Sequence, residues 1–155
     1  MKKLRFTQEI SAPVHTVWTT MLGDETYRQW TDVFNPGSYY EGSWDKGSEI
    51  RFIGSDDTGA SGGMLGTIVE NRPNEFVSIE YSGMIIEGVP DTTSDAAKTV
   101  VGTHENYSFS EEDGVTTVTV EMDSDDEYAA MFEESWPVAL DKLKELSETF
   151  TNAHA

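Results

Sequence analysis

The chain has 155 residues, 10 Lys and Arg against 29 Asp and Glu, a net charge of -19 and no cysteine. That length suits one α+β-sized domain; the missing cysteines exclude disulfides, thiolate metal sites and a cysteine nucleophile, and the charge disfavours nucleic acid and anionic membranes. No run approaches the roughly 18 apolar residues of a membrane span, and the basic start Met1–Arg5 has no apolar run behind it, so a cytoplasmic protein is expected.

Residues 3–10 alternate loosely through Leu4, Phe6, Gln8 and Ile10, which predicts a first strand. Pro13 suits the first helical position. Behind it, Val14, Val17, Trp18, Met21 and Leu22 fall at helical spacing, and Gly23 ends the helix. Glu25 to Trp30 reads as a second short helix with Tyr27 and Trp30 on one side. From residue 35 to Met122 the period changes to two. Ile50 and Phe52 share a face; Ser55–Gly63 reads as a turn and Met64–Glu70 as a strand. Val77, Ile79 and Tyr81 share the next face; residues 83–98 are poorly patterned, and Pro90–Asp95 reads as a loop. Val100–Phe109 and Val115–Met122 are strands joined through Asp113-Gly114, a strong hairpin signal.

Ser124-Asp125-Asp126-Glu127 has capping-box spacing, and the stripe Tyr128, Phe132, Trp136, Ala139, Leu140, Leu143 and Leu146 predicts a long final helix. Pro137 inside it removes a hydrogen bond, which predicts a kink near Glu133–Trp136 or a break. About 22 to 24 helical residues span about 35 Å, and about six strands span about 29 Å, so one helix can cross the whole sheet. The tail Thr151–Ala155 is expected to fray.

These residues resemble the START-like (SRPBCC) superfamily, in particular the branch named after the activator of the heat-shock-protein-90 ATPase. The carriers are Ile10-Ser11-Ala12-Pro13 with Val17-Trp18, then Tyr27-Arg28-Gln29-Trp30-Thr31 and Phe34. Gly37-Ser38, Gly42-Ser43-Trp44, Gly47-Ser48-Glu49-Ile50-Arg51-Phe52, Glu105-Asn106-Tyr107 and Trp136-Pro137 follow in order. The resemblance implies a helix-grip (Bet v 1-like) fold, with a curved antiparallel sheet around the long helix and a cavity between them. Superfamily members bind lipids, hormones or polyketides in that cavity, and a few catalyse cyclisation or dehydration. Co-chaperone activity needs more than such a domain, and the sequence shows no further region for it.

Trp30, Phe34, Trp44, Phe52, Met64, Tyr81, Tyr107, Phe132 and Trp136 are the candidate cavity lining. Each could equally be ordinary core, but together with Met84 and Met131 they fit a site for a hydrophobic or aromatic small molecule. Glu105 is the sharpest polar candidate. It alternates with Thr103 and Tyr107, which points its carboxylate inward, where it could act as acid, base or hydrogen-bond anchor; the plainer alternative pairs it with Arg51 or Arg28. His104 falls out of phase and faces outward. His15, His104 and His154 have no metal-ligand spacing, and no cofactor motif is read: Gly59–Gly66 lacks the helix start and lysine of a phosphate loop.

The sequence therefore favours a binding module without chemistry of its own. A cyclase or dehydratase using Glu105, Tyr81 and Tyr107 is the alternative, and a stress-associated protein-interaction domain the second. Acids spread from Glu9 to Glu148 suit a solvated surface; the cluster Asp123–Glu127 offers a docking face for a basic protein partner. Oligomeric state is not legible.

Overall fold

The structure, a computed structural model, describes residues 2–34, 37–55 and 61–153. In chain order the elements are β1 (Lys2–Ile10), α1 (Val14–Leu22), α2 (Asp24–Trp30), β2 (Tyr39–Gly42), β3 (Glu49–Ser55) and β4 (Ser61–Arg72). Then come β5 (Phe76–Ile86), β6 (Val89–Asp91), α3 (Asp95–Lys98), β7 (His104–Glu112), β8 (Val115–Ser124) and α4 (Asp126–Ala153). One antiparallel sheet runs β1-β8-β7-β5-β4-β3-β2, with β6 paired to β5. Register shifts at Leu65/Gly66 and Ile68/Glu70 interrupt the β4–β5 ladder. Such bulges bend a strand and raise its local twist.

The described sheet has eight strands instead of about six. Two short strands account for the difference. β2 carries only four residues, and β6 forms because Glu87 (φ 51°) and Gly88 (φ 78°) close a two-residue hairpin that pairs Ile86 with Val89. Asp113 (φ 52°) and Gly114 (φ 80°) make the same turn between Glu112 and Val115, as their dipeptide predicts. The loop expected over Pro90–Asp95, in the poorly patterned stretch 83–98, is thus corrected: β5 continues to Ile86, β6 takes Val89–Asp91, and α3 starts at Asp95, capped by Ser94, whose hydroxyl accepts from Ala97 N–H. The turn expected over Ser55–Gly63 lies outside the described residues at 56–60, and Ser61–Gly63 are already strand. Gly63 belongs there for a steric reason: a Cβ on it would sit 1.7 Å from the Phe52 carbonyl oxygen.

Local chemistry sets the helix ends with small corrections. Pro13 caps α1 from outside the helix instead of occupying its first turn, in extended backbone with φ -61° and ψ 150°. At α4 the cap is Asp125, not Ser124: its Oδ1 accepts from Glu127 N–H at 3.0 Å. α4 then runs through Pro137 as one 28-residue helix, neither broken nor restarted there. Packing outweighs the lost hydrogen bond, because Ala129, Trp136, Ala139, Leu140 and Leu143 all face the core and each is at most 3 % exposed.

Where α4 packs decides where the cavity lies. Its neighbours are chiefly β1, α1 and α2. Gln8 donates to Asp141 at 2.7 Å, Ser11 N–H to Glu148 at 2.8 Å, and Lys2 to Glu133 at 2.8 Å. The helix is therefore fastened along one margin of the sheet. The first turns of α4 share a cavity with β4, β5 and β7, and that space is the site.

Candidate functional site

Strand β7 delivers the polar centre. Its burial alternates along His104, Glu105, Asn106, Tyr107, Ser108 and Phe109, with Glu105, Tyr107 and Phe109 buried. Cross-strand register sets Glu105 between Ile79 of β5 and Met122 of β8, two apolar neighbours that offer no counter-charge. The inward orientation expected for Glu105 is what the strand period produces. The Tyr107 hydroxyl donates to Glu105 Oε2, and Tyr81 borders the same space. Arg51 and Arg28 are elsewhere: Arg51 is paired with Glu49 at 3.1 Å, and Arg28 with Asp24 at 3.3 Å and over the Tyr39 ring. Among the described ion pairs, none includes Glu105.

Burial dominates the electrostatics here. It lifts the Glu105 carboxyl above the ordinary carboxylate range, and the tyrosine donors offset only part of that rise. Burial, and then the negative charge of Glu105, pushes the Tyr81 and Tyr107 hydroxyls well above their usual range. Both phenols thus remain protonated and remain donors. Tyr27 is raised in the same way. The site thus holds a carboxyl that keeps its proton to higher pH than an exposed one, beside the fixed O–H of Tyr107.

Around this centre lies a cavity of about 590 Å³. Trp30, Phe34, Phe52, Met64, Tyr81, Glu105, Tyr107, Phe132 and Trp136 all line it. The aromatic walls interlock: Phe34 meets Trp136 edge-on at 4.9 Å, Trp30 lies 5.8 Å from Trp136, and Phe52 lies 6.2 Å from Tyr81. Trp30 is fixed by its Nε1–H, which donates to the Met21 carbonyl at 3.0 Å. Trp44 is the exception among the expected lining residues. It packs one layer back, against Tyr27, Tyr40 and Phe52, while its carbonyl accepts from Asn71 at 2.7 Å. Tyr27 takes the place expected for Trp44 on the wall.

The far wall comes from α3 and the turn that follows it. Ala96 of α3, Thr99, Val100 and Thr103 border the cavity, and the segment is pinned to β5 by Tyr81 N–H to Thr103 O and Gly102 N–H to Tyr81 O, each 2.9 Å. The strand expected from Val100 accordingly starts only at His104, after a turn at Gly102 (φ 81°). Tyr128 and Met131 of α4, about half exposed, stand at the rim. His104 faces away, with Nε2 3.2 Å from Glu80. Among the described residues no cluster of three His, Asp or Glu could hold a metal, and no helix is long and apolar enough to cross a membrane.

A long helix gripping a curved antiparallel sheet over an aromatic cavity defines a START-like helix-grip protein. The chain belongs to the family described as "Activator of Hsp90 ATPase homolog 1-like protein", whose model matches residues 11–148. No curated protein matches the sequence. Solved structures show the same fold. Protein NE0264 from Nitrosomonas europaea is 16% identical with a TM-score of 0.73, covering 95% of this chain and 94% of its own. The Aha1 dimer from Colwellia psychrerythraea is 17% identical, with a TM-score of 0.67 and coverage of 96% and 97%. DynU16, a protein of the dynemicin biosynthetic locus, is 16% identical at a TM-score of 0.68, covering 97% of this chain and 49% of its own.

Proposed function

We propose that this protein binds a hydrophobic or aromatic small molecule in the cavity between the sheet and α4, without chemistry of its own. The observation that carries the reading is the cavity itself. Its volume of about 590 Å³ falls within the range of about 300–1,000 Å³ usual for small-molecule sites. Its walls are aromatic rings and methionines, with one buried carboxyl to orient an occupant. Interiors are otherwise close-packed, so a space of this size between helix and sheet calls for an occupant. The structural likeness to a protein of a biosynthetic locus supports a small molecule as that occupant.

Native mass spectrometry of the purified protein, followed by thermal-shift measurements against a panel of lipids and flavonoids, tests this. A retained mass or a raised Tm is the expected result. A protein that carries no adduct and shows no shift with any panel member would remove the reading.

The convergence of Glu105, Tyr81 and Tyr107 supports a second reading, a cyclase or dehydratase acting on a hydrophobic substrate in the same cavity. A protonated Glu105 would donate to a leaving hydroxyl or carbonyl, and the phenols would hold the developing charge. The two readings part on Glu105→Gln: an enzyme loses turnover while keeping affinity, whereas a binding module shows no turnover in either form.

A further inference from the structure

The charges around the cavity carry the argument one step further, resting on the binding reading above. Among the described lining residues the charged ones are Glu105, Asp123 and Asp125; none is Lys, Arg or His. Asp123 is already matched, by Lys3 at 3.1 Å and by the His104 N–H. Asp125 spends its Oδ1 capping α4. Glu105 is different. It is 9 % exposed, accepts from the Tyr107 hydroxyl and takes part in none of the described ion pairs, so a charge on it is not neutralised by them.

We propose that the occupant is a hydrophobic amine, an apolar body bearing one ammonium group, seated with its cation against the Glu105 carboxylate and between aromatic faces. Three independent features converge on that chemistry. A buried carboxylate without a counter-ion is costly, and a ligand cation supplies what the protein withholds. Tyr27, Tyr81, Tyr107, Trp30 and Trp136 line the same cavity as the carboxylate, and the faces of such rings attract cations. Finally, a net charge of -19 draws cations towards the molecule and repels fatty acids, phosphates and other anions at long range. A site for an anionic lipid would need at least one cationic group in its wall, and the described lining has none.

A set of isosteres that differ only in charge provides the test: naphthylmethylamine, naphthylmethanol and naphthoic acid, with the matching octyl series, titrated by calorimetry. Salt at about 0.5 M shortens the Debye length enough to suppress binding to the acidic surface. The amines are expected to bind at least about tenfold tighter than the alcohols, as a charge-assisted hydrogen bond allows, and the acids not at all. In Glu105→Gln, which keeps the shape, the amine and alcohol affinities should converge. Alcohols or acids that bind wild type as well as the amines would overturn the cationic assignment while leaving the cavity-binding reading intact. An amine preference that survives in Glu105→Gln would overturn the role of Glu105. If no member of either series binds, the amine proposal falls, and the cavity-binding reading is decided by the native mass spectrum and the lipid and flavonoid panel.

Discussion

Alanine substitutions at Phe132 and Leu143, made separately, ask whether the protein holds the cavity under α4 open in solution. Both side chains lie on the same helix, but in different surroundings. Leu143 is fully buried in the core, so its loss leaves a closed void; such Leu→Ala changes cost about 3–4 kcal/mol. Phe132 is larger, yet it is only partly buried, and one side of its ring borders the cavity. The contacts that cavity lacks cannot be lost a second time. We estimate about 1–2 kcal/mol for Phe132→Ala, below the roughly 3–5 kcal/mol of a phenylalanine in a filled core. Urea unfolding followed by tryptophan fluorescence measures both, and at this chain length the Leu143 variant should melt about 6–16 °C lower and the Phe132 variant about 2–8 °C lower. The order is the critical result. If Phe132→Ala costs as much as Leu143→Ala or more, α4 closes onto the sheet, the interior is filled, and the cavity argument collapses.

Two further perturbations read the site and the helix. Because burial raises the folded-state carboxyl of Glu105 above its ordinary value of 4.5, its contribution to stability is complete below that value and is lost as pH rises through the folded value. The unfolding free energy of Glu105→Gln relative to wild type should therefore improve from pH 5 upward and then level off; a difference that is flat, or worsens, would mean the tyrosine donors hold the carboxyl ionised throughout. Pro137→Ala restores a helical N–H on an exposed turn, and the proline's stiffening of the unfolded chain offsets part of the gain, so a net stabilisation of about 2 kcal/mol is expected. A Tm that stays level or falls would show that the ring itself packs usefully.

What could be read in advance divides along a physical line. Local signals survived: the helical stripe of α1, the Asp113-Gly114 hairpin and the inward phase of Glu105 all depend on neighbours within a few residues. Tertiary outcomes did not. The helix through Pro137 is held by Trp136, Ala139 and Leu140 against distant elements, and no local rule weighs that packing against a lost hydrogen bond. Strand β6 hides behind Glu87-Gly88, a weaker turn signature than Asp-Gly. The wall at Val100–Thr103 carries a strand-like alternation, but it is a turn pinned by backbone hydrogen bonds to β5. Trp44 shows the limit on site residues: alternation can assign a face, but it cannot tell the wall of a cavity from the layer behind it. Tyr27 was visible beside Trp30, three residues apart, and only the fold could rank it above Trp44.

The pairing of β1 with β8 also has a consequence for biosynthesis. Ile10 meets Thr116, Lys2 meets Ser124, and the Thr116 hydroxyl reaches back to the Ala12 carbonyl. During translation β1 emerges more than a hundred residues ahead of the strand it must zip to, and before the helix that covers it. The nascent chain thus carries an unpaired strand until nearly all of the sheet has been made. Contacts so distant in sequence make for slow closure and a long aggregation-exposed interval. Three basic residues, Lys2, Lys3 and Arg5, alternate with few apolar ones on that waiting strand, and charge of this kind discourages edge-to-edge association while the partner is still inside the ribosome.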